Sequence, residues 1–226
     1  MTRGIFVTGT DTGVGKTRVA VALLRGLAAD GVRAIGMKPV AAGTLPGEAR
    51  NADVTALIDA AGVAAEIADI NPYSYPQPIA PHLAAARRGT GIDVETIAAA
   101  YTRLAARSEA VVVEGAGGAL TPLSERTDML DIAARLGLPV LLVVGVRLGC
   151  LNHALLTAQA IRARGLELAG WVANRIDPAM PEAAANVATL ARMLAVPLIA
   201  DLSWRTGAGD AAIIRGAALA ALRLTG

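Results

Sequence analysis

The chain is poor in several things that would send its reading elsewhere. Its 226 residues include one cysteine, Cys150, and two histidines, His82 and His153. An internal disulfide and a multi-cysteine metal centre are therefore excluded, and the composition suits a reducing compartment. The histidines do not have the spacing of metal ligands. Aromatic residues make up 3% and the net charge is +2. Such a chain offers few stacking platforms and no basic stripe, so nucleic acid is not an expected partner. The longest apolar stretch, Leu136 to Val146, contains Pro139 and is too short to span a bilayer, so no membrane partner is expected. Met1-Thr2-Arg3 leads straight into an apolar run, and no signal peptide is expected. A cytoplasmic location follows as an expectation. What the chain does have is 54% hydrophobic content, enough for one sizeable core and a single domain over residues 1–226.

Helical and strand patterns alternate along the whole length, without a low-complexity linker or an obvious repeat. Expected strands lie at 4–7, 32–37, 110–113, 139–144, 168–173 and 197–200. Helices are expected at 53–61, 92–106, 128–136, 152–164, 182–194 and 210–222, and from Val19 to Leu27 before Gly31. The proline-rich run Asn71 to Pro81 reads as an irregular surface segment. Because the strands are continuous apolar runs, a parallel sheet covered on both faces is expected. The fold class is α/β: a three-layer α/β/α sandwich with a mostly parallel central sheet. Ligands on such sheets bind beyond the carboxyl ends of the strands. Gly9, Lys38, Glu114 and Asn174 end strands and should converge there.

The run Gly9-Thr10-Asp11-Thr12-Gly13-Val14-Gly15-Lys16-Thr17 sits between a strand and a helix. A glycine-rich loop in that place turns backbone N–H groups and a helix N-terminus toward a polyphosphate. Lys16 can reach the outer phosphates and Thr17 can offer its hydroxyl to Mg²⁺. The usual loop has four residues between its glycines; here there are five, from Thr10 to Val14. Glu114, at the end of Val111-Val112-Val113, can hold Mg²⁺ directly or through water. Asp53 can be a second metal carboxylate or an ordinary helix cap. Lys38, pinned by Pro39, is either a solvated lysine or a second cation stabilising a transferring phosphoryl group. Asn174 can pair with the N6 and N7 edge of adenine or serve as a turn residue. Gly149-Cys150-Leu151-Asn152 opens a helix that could receive an anion. Cys150 itself reads as a packed side chain, since no basic partner is placed beside it.

Together, the loop, Lys38-Pro39-Val40, Arg50-Asn51-Ala52-Asp53, Asn71-Pro72-Tyr73, Pro81-His82, Val113 to Gly118, Val144 to His153 and Gly170 to Asn174 resemble the dethiobiotin synthetase family. The resemblance covers nearly the whole chain, lengthened loop included. It implies an ATP- and Mg²⁺-dependent ligase that joins CO₂ to 7,8-diaminononanoate in biotin biosynthesis. It further implies that Lys16 and Lys38 act on the carbamate and γ-phosphate, with Thr12 beside them. Thr17, Asp53 and Glu114 would hold Mg²⁺. The nucleotide would contact Thr12, Gly13, Val14, Gly15, Lys16, Thr17, Arg18, Asp53, Glu114, Gly115, Ala116, Gly117, Asn174, Arg175, Ser203, Trp204 and Arg205. Substrate would meet Thr12, Lys38, Ala42 and, across a homodimer interface, Gly149, Cys150, Leu151 and Asn152. The chain departs from its relatives in places. Ala42 stands where many have a hydroxyl residue, Gly13 replaces a frequent glutamate, and Ser203 and Arg205 replace a proline and a leucine.

A partitioning-type ATPase switch is the main alternative. It would carry an extra lysine early in the loop, where this chain has Asp11. A small-molecule kinase would need an acceptor-hydroxyl site and an arginine-rich lid, and neither is apparent.

Overall fold

The computed structural model describes residues 3–44, 47–48, 50–204, 210 and 214–225. The first half contains β1 (Arg3–Gly9), α1 (Lys16–Ala29), β2 (Ala34–Met37), β3 (Val40–Ala42), α2 (Ala52–Ala60), α3 (Ile67–Ile70), β4 (Tyr73–Tyr75), α4 (Pro81–Arg87) and α5 (Val94–Ala105). It continues with β5 (Ala110–Glu114), α6 (Met129–Leu136), β6 (Val140–Val146), α7 (Cys150–Ala163), β7 (Leu168–Arg175), α8 (Ala183–Leu194), β8 (Leu198–Leu202) and α9 (Ala217–Ala221).

Six strands form one sheet in the order β2-β5-β1-β6-β7-β8, and every pairing in it is parallel. The continuous apolar runs are explained by burial on both sides. On one face Ile5, Val7, Leu141, Val143 and Val172 pack with Val19, Leu23 and Leu27 of α1 and Leu219 of α9. On the other face Phe6, Val113, Leu142, Val144 and Trp171 pack with residues of α5, α6, α7 and α8, among them Ile97, Ile132, Ile161 and Leu190. Burying one such aliphatic side chain contributes about 2 kcal/mol. The three expected layers are present, and the open ends of β1, β2, β5 and β7 lie along one edge.

Two expectations are corrected. The run Asn71 to Pro81 is not simply an irregular surface loop. It contains β4, which pairs in parallel with β3 as a second, two-stranded sheet. Tyr75 is buried, and the Asn71 amide donates to the carbonyl of Lys38 at 2.7 Å. Proline frequency reported local rigidity there and said nothing about tertiary pairing. The last helix is not continuous from 210 to 222: Ile214, Arg215 and Gly216 are non-helical. Gly216 has φ 49° and its N–H donates to Asp30 at 2.9 Å, which turns the chain just before α9.

Candidate active site

The phosphate loop leaves β1 at Gly9 and enters α1 through Gly15. Gly15 has φ 92°, and a Cβ there would lie 2.1 Å from the Asn174 side-chain nitrogen, so no other residue fits. Val14 turns inward and is buried. Gly9 makes room for it, since a Cβ on Gly9 would sit 2.6 Å from Val14 Cγ2. The lengthened loop thus anchors one apolar side chain in the core. Among the described residues no side chain caps α1, which leaves its first-turn N–H groups directed at the cleft.

Five side chains meet beside the loop. Lys38 is 4% exposed and its ammonium lies 2.5 Å from Glu114 Oε1 and 3.0 Å from Asp53 Oδ2. Its backbone is fixed on both sides, the N–H donating to Ile70 at 2.8 Å and the carbonyl accepting from Asn71. Glu114 is the last residue of β5 and fully buried. Asn51, not Asp53, caps α2: its side chain accepts from the Asp53 N–H at 3.0 Å. The Asp53 carboxylate therefore faces the site. Lys16 folds back onto its own loop and donates to the Asp11 carbonyl at 2.9 Å.

The electrostatics follow from this crowding. Burial, with the nearby Lys38 charge adding to it, lowers the pKa of Lys16 to about 8. Burial also works to lower Lys38, but Glu114 and Asp53 outweigh it and raise its pKa above the ordinary value. For Asp53 burial pushes upward, and Lys38 and the Thr17 hydroxyl more than reverse it, holding the carboxyl below its usual range.

The donor set suits a divalent cation. Thr17 Oγ1 lies 2.8 Å from both Asp53 Oδ1 and Glu114 Oε1. A hydroxyl has one proton and both carboxylates only accept, so one close oxygen pair lacks a hydrogen. Glu114 Oε2 is buried and has no hydrogen-bond partner among the described residues. Converging oxygens short of protons are what Mg²⁺ coordinates, with phosphate and water oxygens completing its shell.

A cleft of about 690 Å³ opens over these groups. Thr12, Gly13, Gly15, Lys16, Thr17, Lys38, Ala42, Asp53, Glu114, Ala116 and Gly117 line it, as do Pro78 to Pro81, Thr121 and Pro122. Sequence reasoning passed over the last two groups. Proline at Pro78 and Pro81 looked like surface punctuation, although a stiff wall beside a ligand is another use of the same residue.

The arrangement can be set beside known proteins. A family model described as an AAA domain matches residues 3–211. The ATP-dependent dethiobiotin synthetase BioD of Aromatoleum aromaticum is 49% identical over 99% of this chain and 98% of its own length. The protein of the same name from Nitrosospira multiformis is 52% identical over 90% of this chain and 89% of its own. This chain belongs to the dethiobiotin synthetase family. Among solved structures, the septum site-determining protein MinD of Pyrococcus horikoshii, complexed with Mg-ADP, aligns at TM-score 0.56 and 15% identity. That alignment covers 100% of this chain and 90% of the other. The Aquifex aeolicus MinD cell division protein aligns at TM-score 0.57 and 17% identity, over 94% and 87% of the two chains. At these identities the likeness concerns the fold.

The remaining residues implied by the dethiobiotin synthetase pattern are spread more widely. Gly115 is buried and its carbonyl lies 3.3 Å from the Lys38 ammonium. Arg18 lies in the first turn of α1, and its side chain is engaged by neighbouring protein groups. Its guanidinium reaches Asp210, Asn174 and the Ser203 carbonyl. Asn174 is 3% exposed, accepts from Arg18 and donates to the Val14 carbonyl, each at 2.8 Å. Arg175 pairs through both arms with Asp201. Trp204 is partly exposed near Ser203, and Arg205 lies outside the described residues. Gly149, Cys150, Leu151 and Asn152 do not line the main cleft of this chain. Cys150 is buried, as expected of a packed thiol, while Gly149 and Asn152 face outward at the start of α7.

Proposed function

We propose that this chain is an ATP-dependent dethiobiotin synthetase, acting as one domain in the cytoplasm. It converts 7,8-diaminononanoate, CO₂ and ATP into dethiobiotin, ADP and phosphate. The observation that carries this reading is the meeting of Lys16, Lys38, Thr17, Asp53 and Glu114 beneath a cleft at the phosphate loop. One substrate amine captures CO₂ as a carbamate, whose oxygen then accepts the γ-phosphoryl group. Lys38 and Lys16 neutralise the charge that builds between carbamate and phosphate, in a site where burial makes that neutralisation strong. Thr17, Asp53 and Glu114 would hold Mg²⁺, whose charge would screen that of the outer phosphates. The second amine attacks the mixed anhydride, phosphate leaves and a five-membered urea ring closes. Because that amine is tethered to the reacting carbon, its effective concentration is high and no enzyme nucleophile is required.

Asp11 counts against a partitioning-type switch. A carboxylate stands where such proteins need a lysine, and it pairs with Arg147 of the same chain at 2.8 Å. We further propose a homodimer. Leu148 is 91% exposed, and Leu120 and Leu156 are exposed beside a groove of about 410 Å³. An apolar surface of that kind next to the start of α7 supports a shared interface. There the Gly149 to Asn152 turn receives the substrate's carboxylate at the α7 N-terminus.

The test is to incubate the purified protein with the diamine, bicarbonate, Mg²⁺ and ATP. Cyclic urea detected by mass, with one phosphate released per ring, is expected. Phosphate release that is indifferent to the diamine would overturn the reading.

A further inference from the structure

Arg18 occupies a junction that its place in the phosphate motif does not require. It lies one residue beyond Thr17, and its side chain is held by protein acceptors next to the loop. Nε and Nη2 hold both oxygens of Asp210, at 2.5 and 2.9 Å. Nη1 donates to Asn174 Oδ1 at 2.8 Å and to the Ser203 carbonyl at 2.9 Å. Asp210 is 2% exposed and Asn174 is 3% exposed. A guanidinium fork can serve several acceptors in one plane, which an ammonium cannot.

The consequence falls on Asn174. The two ends of a side-chain amide have nearly the same shape, and its hydrogen-bond partners decide which way round it lies. Arg18 can only donate, so the oxygen must face it. The Val14 carbonyl can only accept, so the nitrogen must face the loop, where it donates at 2.8 Å. Among the described residues each end has one bond made and one left: a lone pair on Oδ1 and an N–H on Nδ2. An acceptor beside a donor complements the N6 amino group and N7 of adenine. Guanine offers acceptors at both O6 and N7 and cannot satisfy the fixed oxygen.

We infer that Arg18 is a positioning residue for base selection: it locks the Asn174 amide in one orientation, so that the nucleotide site accepts adenine and rejects guanine. The inference rests on the reading of this site as an ATP site, and it adds a side chain that acts on the base through Asn174. Asp210 is the anchor that holds the guanidinium in place.

The experiment compares the equilibrium binding of Mg·ADP and Mg·GDP to wild type, Arg18→Met and Arg18→Lys by calorimetry, with thermal melting as the check on folding. Wild type should favour ADP. Arg18→Met should reduce the ADP-to-GDP affinity ratio by about tenfold, the size of one discriminating hydrogen bond. Arg18→Lys keeps the charge opposite Asp210 but not the fork, and it should lose most of the discrimination as well. If Arg18→Met does not fold, Arg18→Lys decides the matter alone. A wild-type ratio in Arg18→Lys would overturn the inference, because charge pairing alone would then suffice. Equal binding of ADP and GDP by wild type would also overturn it while leaving the proposed enzyme intact. Failure of wild type to bind any nucleotide would overturn both.

Discussion

Two lysines within one small site have opposite electrostatic fates, and the difference can be measured. Lys16 is buried near a like charge, and its pKa falls to about 8; Lys38 is buried against two carboxylates and remains charged. On the proposed reading nucleotide binds the protonated form of Lys16, so its affinity should be highest below pH 8 and weaken as pH rises through that value. Adding phosphate raises the pKa of Lys16 again, which gives the fall its finite width. Titrating the ADP dissociation constant from about pH 7 to about pH 9.5 should reveal it, and a flat profile would count against the assignment. Lys38→Met should lower kcat by about 10² to 10³-fold, the scale of removing one charged partner from a transferring group. It should leave nucleotide affinity largely intact. Because Glu114 is fully buried, the same substitution should cost about 3 kcal/mol of stability in the absence of Mg²⁺. Urea unfolding should show that loss, and added Mg²⁺ should recover part of it. Equal stability with and without the ion would mean that the carboxylates do not take a metal. Ala42 lines the cleft without a hydroxyl. Ala42→Ser should tighten substrate binding by up to about tenfold, one hydrogen bond's worth, and an unchanged KM would argue that nothing is missing there.

At the scale of elements, β1, the glycine loop and α1 were legible because their signals are local. A buried strand, glycines and a helical repeat follow one another in the chain. Glu114 was legible for the same reason, as the residue where an apolar strand stops. Asp53 was ambiguous between cap and ligand, and only the capping bond from Asn51 separates the two. The β3-β4 pairing was not legible. It joins Val40–Ala42 to Tyr73–Tyr75, and no local pattern announces a partner that distant. The acceptors of the Arg18 side chain were likewise not legible, since they come from β7 and the C-terminal segment. Asn51 links two of these elements, since its amide nitrogen also donates to the Gly43 carbonyl at 3.0 Å. Asn51→Ala should therefore cost about 1 kcal/mol through the lost cap and loosen the turn after Ala42. Denaturant titration checks the first effect. A substrate KM that rises while ATP affinity holds checks the second.

At the scale of the molecule, the sheet gathers the candidate site at one edge, and the proposed carboxylate site lies on another surface. Parallel strands put Lys38, Glu114 and the loop side by side, whereas the start of α7 does not line the cleft that they line. A second copy of the chain would resolve this. Leu156→Glu places a charge in the exposed apolar groove and should yield a monomer by light scattering, with substrate KM raised and nucleotide binding kept. A monomeric variant with full activity would show that each chain works alone. The reaction itself is tested most directly by the path of one oxygen. With ¹⁸O-labelled bicarbonate freshly added in unlabelled water, the carbamate oxygen that accepts the phosphoryl group carries its label into the released phosphate. One labelled oxygen in phosphate per urea ring is the predicted result; phosphate released without label, its fourth oxygen drawn from solvent, would mean that water, not carbamate, takes the phosphoryl group.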